Sequence, residues 1–181
     1  KTIIIPKYKN LKEADIKLKN KKDLVTSVDI MVENILKSFL QNLLPNSLFV
    51  GEESFFKDKN IINFYKKNQY CWTVDPIDGT SNYVNGKDKF AIMIALTLKD
   101  KILQSWIYKP LNEEFIYSKL GHGTYINEKK IYNKVNIDIS KSTGSISTKY
   151  WNDNYYNKIK NIKNMFKEVN SYGCIGFEYV D

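Results

Sequence analysis

Asp75 and Asp78 stand three residues apart in Trp72–Gly86 (WTVDPIDGTSNYVNG), inside a proline-containing turn followed at once by Gly79 and Thr80. The apolar run Tyr70–Val74 leads into that turn and reads as a buried strand, so both carboxylates sit at a strand end. Two carboxylates converging in a dry crevice repel each other unless a cation neutralises them. Donors that are all oxygen suit Mg²⁺ or another hard ion. The plainer reading of D-P-x-D-G alone is an Asp-Pro turn with Asp78 in water, so the case for a metal depends on what lies around the turn.

Two upstream fragments supply that context. Gly51-Glu52-Glu53-Ser54 follows the short apolar run Leu48–Val50, which places a second carboxylate pair at a second strand end. Asp23-Leu24-Val25-Thr26-Ser27-Val28-Asp29 precedes a helix. In order, D-x-V-T-x-x-D, G-E-E and D-P-I-D-G-T-x-N resemble the inositol monophosphatase family of Mg²⁺-dependent, lithium-inhibited phosphatases. The third motif is highly specific, the second weak alone and the first moderate. The resemblance runs from about Pro6 to the last residue and covers part of a family member. It includes the Lys119–Gly123 loop and Thr124–Asn127, where the family carries a hairpin.

The resemblance implies a set of roles. Glu52, Asp75 and the Ile77 carbonyl would hold one Mg²⁺. Asp75 would bridge to a second ion, shared by Asp78 and by an Asp of a W-D pair expected beyond Asp181. Thr80, oriented by Asp29, would position the attacking water with Glu52 nearby. The backbone of Gly79 and Thr80 would receive the phosphate, and the small-residue turn at Gly173 and Cys174 would shape the substrate pocket. Glu53 is expected behind the site or at the surface, and Glu178 on a helix face outside the catalytic set. The implied activity is hydrolysis of inositol monophosphate or a similar small polyol phosphate. The alternatives are a 3′(2′),5′-bisphosphate nucleotide, fructose 1,6-bisphosphate or histidinol phosphate as substrate, or a noncatalytic protein- or RNA-binding scaffold. A scaffold has no chemical need for Asp29, Glu52, Asp75, Asp78 and Thr80 together. A homodimer is compatible with the family.

Composition narrows the field. A length of 181 residues with 43% hydrophobic content can bury a sizeable core. The formal charge is +8, and all 28 basic residues are lysines scattered among Asn, Ile and Tyr. Bidentate phosphate or base recognition favours arginine, so the lysines read first as solvated surface, next as a general attraction for anionic substrates and last as a nucleic-acid patch; a small phosphate ester is the favoured partner. The longest apolar stretch, Phe90–Leu98, is too short to span a bilayer. Cys71 and Cys174 read as reduced thiols of a cytoplasmic protein. Cys174 has no histidine near it in sequence, and His122 lies in a glycine-flanked hairpin, so a packed thiol is expected rather than a nucleophile. The first residues, without Met, read as the late part of a helix ending near Pro6.

The elements that must position these residues follow from periodicity. Val28, Met31, Val32, Ile35, Leu36, Phe39, Leu40 and Leu43 predict one amphipathic helix over Ser27–Leu44, capped by Thr26 with Asp29 in a capping box. Lys57–Gln69 reads as a loop with a short helix, and a helix is expected to begin at Thr80 with its free N–H groups facing an anion. Lys89–Leu98, Ile102–Tyr108, Glu114–Ser118 and Gly123–Asn127 predict an antiparallel meander, with Lys89–Leu98 central because both its faces are apolar. Ser142–Lys149 predicts a strand and Trp151–Lys167 an aromatic-rich helix. The fold the resemblance implies is α/β, a layered αβαβα sandwich of the inositol monophosphatase type, with an antiparallel sheet flanked by helices. An N-terminal metal-binding domain would cover residues 1–138, and an incomplete C-terminal domain residues 139–181.

Overall fold

The computed structural model describes residues 2–20, 23–99, 101–132, 138–147, 155 and 162–180. A short helix α1 (Ile4–Lys7) is followed by the hairpin β1 (Ile16–Asn20) and β2 (Asp23–Thr26), then by the long helix α2 (Ser27–Leu43). Next come β3 (Leu48–Gly51), α3 (Glu52–Lys57), a 3₁₀ segment over Lys59–Lys66, β4 (Tyr70–Asp78) and α4 (Thr80–Val84). The meander β5 (Ala91–Leu98), β6 (Lys101–Lys109), β7 (Glu114–Lys119), β8 (Gly123–Ile126) and β9 (Lys129–Lys130) completes the main sheet. Further on lie β10 (Thr143–Ser145), β11 (Glu168–Asn170) and α5 (Ile175–Glu178).

The main sheet has seven strands in the order β3-β4-β5-β6-β7-β8-β9. Every pair from β4 onward is antiparallel, as the sequence led one to expect, but β3 and β4 run parallel, with Gly51 opposite Val74. Parallel neighbours need a crossover, and α3 with the Lys59–Lys66 segment provides it. The consequence for function is immediate: both strands end on the same side, so Glu52 and Asp75 emerge together.

Helix α2 lies across one face of the sheet. Leu40 packs there with Phe49, Trp72, Val74 and Leu96, and a second cluster joins Val28 and Val32 to Ile4, Ile77, Tyr83 and Phe90. The Tyr83 hydroxyl donates to the Ile4 carbonyl at 2.8 Å, which ties α1 to α4. The helix begins at the expected cap, with Thr26 accepting from the Val28 and Asp29 N–H groups and Asp29 returning the bond. One expectation is corrected: Met31, Ile35, Phe39 and Leu43 are 48–63% exposed. Spaced four residues apart, they line the outward side of the helix. The inward side is completed instead by two carboxylates, Asp29 and Glu33.

On the opposite face of the sheet, Cys174 and Phe177 of the α5 region pack against Ala91 and Ile107. The expected strand Ser142–Lys149 is present as β10, paired in parallel with β11. Most of the expected helix Trp151–Lys167 lies outside the described residues, as does Asp181. Among the described residues no helix is long and apolar enough to cross a membrane.

Candidate active site

The site is built where β3 and β4 end. Asp75 Oδ1 accepts the Ile77 N–H at 3.1 Å, which curls the chain after the strand, and the pairing with β5 breaks between Asp75 and Asp78. Gly79 follows with φ +85, and a Cβ there would lie 2.9 Å from the Lys89 carbonyl oxygen and 3.0 Å from Cys174 Cβ. Only glycine tolerates both the left-handed backbone and that crowding. Thr80 then opens α4, its hydroxyl 2.9 Å from the Ile77 carbonyl and 3.2 Å from Asp29 Oδ1.

Asp29 is completely buried behind Thr80. Its Oδ2 accepts the Thr26 N–H at 2.8 Å and the Thr26 hydroxyl at 2.5 Å, leaving Oδ1 to face Thr80. Burial raises the Asp29 pKa, while the two bonds from Thr26 pull it down. The dual role expected of Asp29, a helix cap and a partner for Thr80, is thus realised in one carboxylate.

Glu52, Asp75, Ile77, Asp78, Gly79, Thr80, Gly173 and Cys174 all line a single cavity of about 200 Å³. Asp75 is held well above the ordinary carboxylate range, first by burial and then by the charges of Glu52 and Asp78. Burial also raises Asp78, opposed by bonds from the Gly176 N–H at 2.5 Å and the Cys174 thiol at 3.0 Å. The Cys174 thiol is itself raised, by burial and by the neighbouring Asp78 charge, and it is packed as a donor to Asp78.

Among the described residues, no three Asp, Glu, His or Cys side chains converge as a ready-made metal cage. The reason is local. Glu52 is drawn to the Lys19 ammonium at 2.6 Å, and Asp78 is turned to Gly176 and Cys174. The donor set nonetheless fits a hard divalent cation. It offers only oxygen from Glu52, Asp75, Asp78 and the Ile77 carbonyl, and the crowding that raises Asp75 is relieved by positive charge.

Four residues that sequence reasoning passed over shape this site. Lys19 bridges Glu52 at 2.6 Å and Glu53 at 2.5 Å. Burial opposes its charge, but the two carboxylates prevail and raise its pKa. Glu53 is accordingly buried behind the site, its pKa pushed up to about 7 by burial against the pull of Lys19. Glu33 accepts from the Glu53 and Ser54 N–H groups at 2.7 and 2.9 Å. Asn82 donates to the Lys89 carbonyl at 2.7 Å and the Tyr172 carbonyl at 2.8 Å, stapling the Gly173–Cys174 turn to α4. Gly176 supplies the N–H on Asp78. Of these, only Asn82 left a signal, as the last letter of D-P-I-D-G-T-x-N. Glu178 accepts the Tyr172 N–H at 3.0 Å and so braces the same turn.

A sheet with α2 on one face, and an oxygen-lined cavity where β3 and β4 end, defines the α/β fold of inositol monophosphatase-like proteins. Solved structures agree. The extragenic suppressor protein SuhB of Bartonella henselae superposes with a TM-score of 0.82 at 24% identity, over 99% of this chain and 69% of that one. Inositol monophosphate-bound IMPase-II of Staphylococcus aureus superposes at 0.73 with 26% identity, over 84% of this chain and 58% of that one. The sequence matches the profile of the inositol monophosphatase family over residues 1–180, and the chain belongs to that family. It is similar to a fructose-1,6-bisphosphatase/inositol-1-monophosphatase of Aquifex aeolicus, 30% identical over 71% of the chain and 46% of the relative. The chain spans about half the length of the curated relatives it matches.

Proposed function

We propose that the protein is a Mg²⁺-dependent phosphomonoesterase acting on inositol monophosphate or a similar small polyol phosphate. The observation that carries this reading is the placement of Thr80. Its hydroxyl hydrogen has two acceptors within reach, Asp29 and the Ile77 carbonyl, and Thr80 lines the cavity, so its oxygen would offer a lone pair to a water hydrogen there. Asp29 cannot turn away, because Thr26 holds its other oxygen. Glu52, Asp75, Asp78 and the Ile77 carbonyl are the groups that would hold Mg²⁺. When bound, the ion would acidify the attacking water and neutralise charge on the phosphate and the leaving oxygen. The N–H groups of Gly79 and Thr80 would receive phosphate oxygens at the start of α4, while Gly173 and Cys174 would form the opposite wall.

The Staphylococcus relative, whose structure is described as inositol monophosphate-bound, supports the substrate class. The name of the Aquifex relative keeps fructose 1,6-bisphosphate as a second substrate to test. A lysine-only basic surface supports a small ester over a nucleic-acid polymer. Lithium sensitivity, a cytoplasmic location, a homodimer and a domain boundary between residues 138 and 139 belong to the same proposal. The test is phosphate release from inositol 1-phosphate, fructose 1,6-bisphosphate, histidinol phosphate and 3′,5′-bisphosphoadenosine. We expect turnover with Mg²⁺ or Mn²⁺, preference for the polyol phosphate, and inhibition by millimolar lithium. Full activity in excess chelator would refute the reading.

A further inference from the structure

Helix α2 sends two buried carboxylates, one helical turn apart, into the protein. Asp29 belongs to the cavity through Thr80. Glu33, 3% exposed, does not line the cavity. Its Oε2 accepts the Glu53 N–H at 2.7 Å, and its Oε1 accepts the Ser54 N–H at 2.9 Å and the Ser54 hydroxyl at 2.5 Å. These are the second and third N–H groups of α3, whose first residue is Glu52. Gly51, at the capping position, has no side chain to satisfy them. A Cβ on Gly51 would lie 2.2 Å from Glu33 Cδ, so the glycine is the notch that admits the carboxylate.

We propose that Glu33 is a positioning residue for Glu52, and that α2 is a two-point clamp on the site. Asp29 holds the turn carrying Asp75, Asp78 and Thr80, and Glu33 holds the turn carrying Glu52. The helix rises about 1.5 Å per residue, so the two grips are fixed about 6 Å apart along a rigid rod. Helix α3 has six residues and no cap of its own, too short to hold its first turn unaided. Glu33 supplies the acceptors that its first turn lacks. The consequence for metal binding rests on the proposed function; the clamp itself does not.

The test uses the full chain with Glu33→Ala, Glu33→Gln, Gly51→Ala and the Glu33→Ala/Gly51→Ala pair, read by amide hydrogen exchange and by calorimetric Mg²⁺ titration. In the parent, the Glu53 and Ser54 amides are protected. In Glu33→Ala and Gly51→Ala they exchange rapidly, while amides of β4 stay protected. Mg²⁺ binding weakens about 10- to 100-fold in both single variants, the range for loss of a group that orients a metal ligand. Glu33→Gln, which keeps one acceptor oxygen, is intermediate. The double variant is no worse than the weaker single one, because Gly51→Ala acts only by evicting Glu33. Unchanged Mg²⁺ affinity in Glu33→Ala, additive losses in the double variant, or unprotected Glu53 and Ser54 amides in the parent would overturn the proposal. Should Glu33→Ala not fold, Gly51→Ala carries the test with the carboxylate charge intact. A parent that binds no Mg²⁺ refutes the proposed function instead, and amide exchange still decides the clamp.

Discussion

Cys174 donates its thiol hydrogen to Asp78 Oδ2 at 3.0 Å, and the Gly176 N–H bonds the same oxygen. One carboxylate at the end of β4 is thereby tied to the start of α5. The thiol is held protonated by burial and by that negative neighbour. Native protein at pH 8 is therefore expected to leave Cys174 unmodified by iodoacetamide, with labelling only after denaturation. Cys174→Ser, which keeps a donor, retains phosphate release. Rapid native labelling with loss of activity would mean a reactive cysteine.

Asp75→Asn separates the cost of the site from its use. Without metal, Asp75 is raised by burial and by Glu52 and Asp78, so its charge opposes folding at neutral pH. The Asn variant is expected to melt no lower than the parent in chelator, to gain no stability from Mg²⁺, and to lose nearly all turnover. Differential scanning calorimetry with and without Mg²⁺, beside a phosphate-release assay, checks all three.

Thr80→Val removes the hydroxyl and keeps the shape. It leaves Asp29 Oδ1 facing an apolar group in a fully buried position, a cost of about 1–3 kcal/mol in stability. Turnover falls with it, whereas Thr80→Ser restores both. Denaturant unfolding and steady-state kinetics on the two variants decide whether the hydroxyl matters.

Asn82→Asp replaces a double donor by an acceptor facing two carbonyl oxygens, those of Lys89 and Tyr172. The turn at Gly173 is expected to detach, raising KM more than it lowers kcat. A stability loss of about 1–3 kcal/mol accompanies it. An unchanged KM would show that the staple does not serve the pocket.

Alkaline pH is expected to weaken the fold. Burial pushes the Cys71 thiol up to about 11, and it raises the Tyr83 and Tyr65 phenols as well. A group whose folded pKa lies above its unfolded one lends full stability below the unfolded value and loses it on the way to the folded one. Stability therefore declines between about pH 9 and 11 for the thiol. Melting temperatures across that range measure it, and Cys71→Ala should flatten the slope.

The legible parts of this molecule are those whose partners lie close in sequence. The Thr26–Asp29 capping box spans four residues and the Asp75–Thr80 turn six, so their chemistry could be read directly. The meander also followed, because hairpins join neighbours. What escaped depends on distant partners: Lys19 on Glu52, Glu33 on Ser54, Asn82 on Tyr172. The outward stripe of α2 escaped for a related reason. Periodicity finds apolar residues but does not say which side meets the sheet, and a buried Glu33 on the inner side looks like a surface residue until its two N–H partners are known.

The parallel pairing of β3 with β4 divides the chain into parts that tolerate a change of length and parts that do not. The connection reaches β4 through Lys67–Gln69, at the far end of the two strands, where Leu48 pairs with Cys71. Residues added to Lys67–Gln69 lengthen a loop at that far end and leave Gly51 opposite Val74. A single residue inserted within β3 or β4 displaces one strand end by about 3.3 Å and turns the following side chains to the opposite face. Glu52 would then point away from Asp75 with every residue of the site still present. Relatives are expected to vary in the first segment and to keep the spacing from Leu48 to Glu52 and from Trp72 to Thr80 without gaps.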